Sequence, residues 1–399
     1  MKSSPLAAYR VVEFSHMVMG PACGLILADL GADVIKVEPT PAGDNTRRLT
    51  GSGTGMFPAF NRNKRSLAVD LKQPEGLALV AKLVARADVV IENFRPGAME
   101  KLGLGFETLA ASNPKLVYCS LKGFLSGPYE HRTALDEVVQ LMGGLAYMTG
   151  PPGNPLRAGS SVNDIMGGMF AVIGIMAALE ERRLTGRGQY VKSGLFENCA
   201  FLMGQHVAEY CVTGKPLIPM SVPQDFFPVY DRFDTRDGKQ IFVSVVSDSQ
   251  WGPFCDAFGL ADLKNDRTLV DYASRVSARS RTIPRIATMI APMSVDEVTK
   301  LCNACGVAYA PISKPEDLLQ DPHLTHADGM LDVGSSARPV RVPALPLEFD
   351  GNRLGVTRAL PAVGEHSREI AASLGYGEDE MARLLLAGIL LAPVEAISP

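Results

Sequence analysis

The chain has 399 residues, of which 46% are hydrophobic and 21% charged, and its net charge is −4. That length exceeds what one hydrophobic core ordinarily supports, so two or three domains are expected, and the composition excludes a disordered or low-complexity chain. The slight acidic balance offers no whole-molecule attraction for nucleic acid or anionic lipid, so any anion site has to be local.

The opening MKSSPLAAYRVVEF lacks the continuous apolar run of a signal peptide and leads directly into strand-like sequence. Arg10–Phe14 reads as a strand, residues 21–30 as a helix opened by Gly20-Pro21, and Asp33–Glu38 as a second strand after Gly31. The alternation continues with a strand at 66–71, a helix at 74–87, a strand at 88–94, helical turns after Pro96 and a strand at 116–121. Such alternation predicts an α/β fold, a large Rossmann-like domain whose parallel sheet is covered by helices on both faces. The turn after the first strand reads SHMVMGP where a dinucleotide site needs GxGxxG, which argues against NAD. Glu38 is expected to be a solvated strand end.

Residues 163–185 have a helical pattern closed by Arg182-Arg183 and Gly186, and 189–196 resume as a strand. The apolar run 165–179 is short for a bilayer and is interrupted by Gly167, Gly168 and Gly174, so a buried helix and no membrane partner are expected. Prolines at 216, 219, 223 and 228 mark a linker. Beyond it a smaller α/β domain is expected, with a strand at 240–246, helices near 251–258 and Val295–Cys305, and a strand ending at Ile312. A proline-rich stretch at 338–347 returns the chain to the first domain. The expected division is 1–213 for the first part of the large domain, 214–228 linker, 229–325 small domain, 326–348 return linker and 349–399 completing the large domain. Seven scattered cysteines suit a reducing, cytoplasmic setting better than a disulfide scaffold. Cys302 and Cys305 form a single CxxC without the second ligand pair a zinc site needs, so buried thiols on a helix are expected there.

Asp164 stands at the start of an apolar helix and is followed by Gly167-Gly168. A carboxylate there is stabilised by helix dipole and free amides, and glycines would admit a bulky ligand; a plain helix cap and a catalytic acid both fit. The run NRNKRS gathers Arg62, Lys64 and Arg65, and Lys72, Arg95 and Lys101 follow near strand ends, where phosphates of a nucleotide-like ligand bind; a solvated charged surface is the alternative. Without a GxSxG elbow or a P-loop, serine hydrolase and ATP-dependent ligase chemistry lack their usual supports. The six histidines, which show no ligand spacing beyond His323 and His326, read as surface or packing residues.

In RVVEFSH, GADVIKVEP, NRNKRSLAVDLKQPEG, VVIENFRPGAMEKLG, the block AGSSVNDIMGGMFAVIGIMAALEERRLTGRGQYV, GVAYAPI and LPAVGEHSREI, the chain resembles the family III CoA transferases over nearly all its length. The resemblance implies that Asp164 attacks a donor acyl-CoA to give a mixed anhydride, that the CoA thiolate then forms a thioester on Asp164, and that an acceptor acid reverses the sequence. CoA is then a co-substrate, with no ATP and no metal. By position in the matching motifs, Met17, Val18 and Met19 would line the CoA chain, Val69, Asp70, Leu71 and Lys72 would border the nucleotide, Asn93, Phe94, Arg95 and Lys101 would complete the pocket, and Asp136 would lie near the pantetheine end. Glycines near the helix start would supply oxyanion amides.

Pro39 stands where formyl-CoA transferases carry a basic residue, and their glycine-rich active-site loop has no counterpart, so formyl and oxalyl groups are disfavoured and succinate-like dicarboxylates are expected. The resemblance further implies an interlocked homodimer of two ring-like chains. Two rival readings remain. α-Methylacyl-CoA racemases share the aspartate-GG pattern, but Leu135 stands where they have a histidine and Ser247 where its supporting glutamate falls, leaving His131 as a distant substitute. A non-catalytic CoA-binding protein would keep the basic groups without needing Asp164.

Overall fold

The structure, a computed structural model, describes residues 4–222, 227–334 and 339–393, so the linkers expected at 214–228 and 326–348 and the final segment 349–399 lie partly outside the described residues. The chain forms two compact units, one of Met1–Ser221 with Pro322–Pro399, the other of Val222–Asp321.

Parallel strands β1 (Arg10–Phe14), β2 (Asp33–Glu38), β3 (Arg65–Val69), β4 (Val89–Glu92), β5 (Val117–Lys122) and β6 (Tyr190–Gly194) build the first unit in the order β3-β2-β1-β4-β5-β6. This is the order of a doubly wound sheet, in which strand succession reverses between β1 and β4. A short C-terminal strand, Leu390–Leu391, adds antiparallel to β3 at the edge. The large sheet of the α/β fold is therefore mixed rather than wholly parallel. No repeating pattern announces a two-residue strand, which is why the sequence did not reveal it.

Alternation along each strand sorts side chains to two cores. Val12, Phe14, Ile35 and Val90 face a cluster with helix α2 (Pro74–Val84) and the C-terminal Ile370 and Leu384. Val11, Val34, Val89 and Ile91 face helices α1 (Met19–Asp29) and α5 (Val162–Thr185) on the other side. Neighbours Val11 and Val12 thus enter opposite cores, the pattern of a strand buried on both faces, each side chain contributing about 1.5–3 kcal/mol. Between these elements lie the short helix α3 (Ala98–Lys101) and α4 (Asp136–Met142). Helices α6 (Leu195–Leu202) and α7 (Gly204–Thr213) follow β6, and α7 buries none of its residues.

Helix α5 has 24 residues and ends on Gly186 in the left-handed conformation. Its length and composition suffice to cross a membrane, yet it packs closely on α1 through Gly167 and Gly168. The second unit carries an antiparallel sheet β7-β8-β9 (Val229–Asp234, Gln240–Val245, Ala308–Pro311) around a core of Trp251, Phe254, Phe258 and Ile286. Cys302 there is buried on the helix Val295–Cys305 and its thiol is pushed up to about 12 by burial, so it is an inert packing group.

Candidate active site

In doubly wound sheets the crevice for a ligand opens beyond the carboxyl ends of the strands, where strand order reverses. Here the residues after β1 and β4 meet at that point. The His16 N–H donates to Asn93 Oδ1 at 3.0 Å, Asn93 Nδ2 donates to the His16 carbonyl at 2.8 Å, and the His16 ring stacks on Phe94 at 5.9 Å. Desolvation lowers the His16 pKa, against a raising pull from Asp44. The next residue, Met17, holds φ 63°, which is uncommon for a side chain of its kind and costs backbone strain.

Two clefts share His16 and Phe94. The first, of 330 Å³, is lined by the ends of β1, β2 and β3, including Val69, Asp70, Leu71 and Lys72. The second, of 470 Å³, runs past Asn93, Arg95 and Lys122 to His131, Arg132 and Leu135. Lys72 and Arg95 are exposed at these rims, whereas Lys101 is exposed on α3 and lines neither cleft. His16, expected to be a surface or packing residue, is exposed and joins both clefts; its place just after the first strand is the signal for it.

Beneath the crevice lies a buried ion network. Glu13 on β1 meets Lys64 at 2.8 Å and Lys36 at 3.3 Å, and Lys36 also meets Asp44 at 2.8 Å and donates to the Ser15 carbonyl at 2.7 Å. Burial lowers the Lys64 pKa to about 8 even against the pull of Glu13. Arg62 is buried against Asp29 at 2.6 Å, and Arg65 pairs with Asp33 at 2.6 Å and Glu369 at 2.9 Å. The expectation that Arg62, Lys64 and Arg65 face a phosphate is therefore corrected: all three are consumed by internal acids. Glu38 is likewise no solvated strand end, being buried between Arg47 at 2.7 Å and the Ser66 hydroxyl at 2.6 Å, which with other partners hold its carboxyl below the usual range despite burial.

Asp164 sits in the first turn of α5. Ser161 occupies the N-cap position but makes no side-chain cap there. Asp136, at the start of α4, takes that role: its Oδ2 accepts from the N–H groups of Asn163 at 2.8 Å and Asp164 at 2.9 Å. Gln140, fully buried, donates to the other Asp136 oxygen and accepts from the Ala158 N–H at 2.7 Å, tying the preceding loop to the same carboxylate. Burial pushes the Asp164 pKa up to about 7, and the neighbouring charge of Asp136 adds to the rise. The side chain itself is half-buried.

Gly167 and Gly168 do not face open space. The Met19 methyl lies 2.4 Å from where a Cβ on Gly167 would stand, and a Cβ on Gly168 would lie 2.9 Å from the Met19 carbonyl oxygen and 3.0 Å from the Cys23 nitrogen. These glycines let α1 and α5 approach closely. Both lie beyond the first four residues of α5, so their amides belong to the helix and are not free for an oxyanion, contrary to expectation. The buried Val18 and Met19 open α1 against this region, with Met17 more exposed before them. Leu135, 65% exposed, lines the second cleft one residue before Asp136. Among the described residues, no group of three or more His, Cys, Asp or Glu side chains is placed to hold a metal ion.

The sequence profile of CoA-transferase family III matches residues 6–367. The chain is 34% identical over 399 residues to the succinyl-CoA–D-citramalate CoA-transferase of Chloroflexus aurantiacus, covering 95% of this chain and 96% of that one. It is 33% identical to the succinate–glutarate CoA-transferase of Agrobacterium fabrum, covering 94% and 96%. The crystal structure of a CAIB/BAIF family protein from Brucella suis superposes with a TM-score of 0.85 at 33% identity, covering 94% of this chain and all of that one. Similarity of this extent, spanning the crevice, α5 and both compact units, leads to one conclusion: the chain belongs to CoA-transferase family III and is an enzyme of that class.

Proposed function

We propose that this enzyme moves CoA from a dicarboxylyl-CoA such as succinyl-CoA to a second carboxylic acid, with Asp164 as the covalent carrier. The observation that carries this reading is the Asp164 carboxylate itself, fixed at a helix start and raised to about 7. A carboxylate at that value is only about half ionised at neutral pH, and its ionised form is poorly stabilised, the condition of an activated nucleophile. Its oxygen attacks the thioester carbonyl and CoA leaves as thiolate; the thiolate attacks the Asp164 carbonyl and the donor acid leaves. An acceptor carboxylate then repeats both steps in reverse, so no ATP is consumed. The relatives named above act with succinyl-CoA or succinate, which supports the dicarboxylate class.

In this reading the first cleft holds the nucleotide of CoA beside Val69–Lys72, and the second leads past Asn93, Phe94 and Arg95 towards Asp164. Incubation with succinyl-CoA should add mass to a peptide containing Asp164, hydroxylamine should remove it, and Asp164→Ala should lose both adduct and turnover. Full transfer by that variant would overturn the reading.

A homodimer is part of the proposal. Phe201 on α6 and Val212 on α7 are 71% and 85% exposed, Ile173 on α5 is 61% exposed, and an apolar surface of this kind suits a second copy of the chain. Sedimentation velocity at nanomolar concentration should show a dimer; a monomer there contradicts it. The seven free cysteines fit a cytoplasmic setting.

A further inference from the structure

We infer that Asp136 is a positioning residue for CoA transfer, anchoring the backbone at Asp164 and placing a fixed negative charge that favours the acylated, uncharged forms of Asp164 over its free carboxylate. This rests on Asp164 being the covalent carrier.

Two carboxylates share one helix start. Asp136 Oδ2 takes the N–H groups of Asn163 and Asp164 at 2.8 and 2.9 Å, the amides that would otherwise stabilise an anion at Asp164. A helix cap alone does not require this arrangement. Ser161 stands at the N-cap and a hydroxyl is a sufficient cap, yet it makes no such bond, and a charged group comes instead from a different helix. Asp136 is itself only 9% exposed and is held on its far oxygen by the fully buried Gln140, so its charge cannot swing away.

Charges on the other elements packed against α5 are engaged elsewhere: Asp29 on α1 with Arg62, Lys122 on β5 with Glu92 and Lys192 on β6 with Glu130. On α6, Glu197 accepts from the Leu125 N–H, and burial keeps the Cys199 thiol raised and neutral. On α4, Glu137 is solvent-facing with Arg157 at 3.5 Å.

The chemistry makes use of the contrast. When an Asp164 oxygen bonds to the donor carbonyl and the C–S bond breaks, the electron pair departs on sulfur and Asp164 loses its charge. When the thiolate bonds to the Asp164 carbonyl, the anhydride C–O bond breaks and the charge leaves on the donor acid. Asp136 repels Asp164 only before the first step and after the last.

The test is Asp136→Asn, which keeps the shape and one acceptor but removes the charge. Under a fixed ratio of succinyl-CoA to succinate, the ratio of Asp164 adduct to free enzyme, read by mass spectrometry, should fall about tenfold, and the acid limb of the kcat/KM profile should move down by about one pH unit. Asp136→Glu should restore both towards the parent values, which a purely structural role would not produce. If the Asn variant fails to fold, Asp136→Ser carries the same comparison. An unchanged adduct ratio and acid limb in a folded variant would overturn the role of Asp136 alone. Absence of any hydroxylamine-sensitive adduct in the parent would overturn the Asp164 reading along with it.

Discussion

Asp164 places a cost on the folded state that the unfolded chain does not bear. Unfolded, its carboxyl titrates near the ordinary value of about 3.9, whereas folding raises it to about 7. Between those values the folded chain holds the proton more tightly, so stability declines as pH rises from about 4, and the penalty is complete above about 7. Asp164→Asn removes the charge and with it the penalty. Partial exposure of the side chain limits the effect, so a rise in Tm on the order of 2 °C is expected at pH 8, shrinking to nothing near pH 4. Scanning calorimetry of parent and variant at both values checks this; a gain that is equal at pH 4 and pH 8 would contradict it. With Asp164 as the covalent carrier proposed above, activity and stability would pull in opposite directions at this residue.

Among the elements, those with strong periodicity were legible in the sequence, and Arg10–Phe14, Asp33–Glu38 and Val295–Cys305 agree with their expected bounds. The helix α4 went unread because its seven residues give too little pattern, and with it the contact between Asp136 and the start of α5. Arg62, Lys64 and Arg65 misled for a related reason. Their partners Asp29, Glu13 and Asp33 lie 32 to 51 positions earlier, and only parallel pairing of β1, β2 and β3 brings them together. Gly167 and Gly168, expected to admit a ligand, serve instead the close approach of α1 and α5, which leaves no local trace in the sequence. Gly168→Ala tests that purpose: Ala is the better helix former by about 1 kcal/mol, but its methyl meets backbone of α1 at 2.9 and 3.0 Å. Overpacking of about 1–3 kcal/mol should prevail and lower Tm. Gly174→Ala meets a single side-chain methyl of Val191 at 2.7 Å, which can rotate, so it should cost less. Equal melting temperatures for the two variants would sink this account.

At the scale of the whole molecule, the short strand Leu390–Leu391 and the residues just before it meet Thr40 and the end of β3 beside the first cleft. Leu390 pairs with Val69, the Asp70 N–H donates to the Ile389 carbonyl at 2.8 Å, and the Thr40 hydroxyl donates to the Gly388 carbonyl at 3.1 Å. Deleting residues 388–399 should therefore loosen Asp70–Lys72 and weaken CoA binding about tenfold, the loss of one or two hydrogen bonds. Titration calorimetry with CoA decides it, and unchanged affinity would detach the C-terminus from the site. The same pairing sets an order of assembly on the ribosome. Strand β3 emerges early, but its outer edge has no partner until His366 and Ser367, and then Leu390–Leu391, are made, some 300 to 320 positions later. The unit of Val222–Asp321 is complete before then and can fold as a body of its own, while the nascent sheet waits with one edge open. An open edge is a template for pairing with any other strand, so the interval between those two events is when this protein is most exposed to aggregation, and slowed translation of its final third would lengthen it.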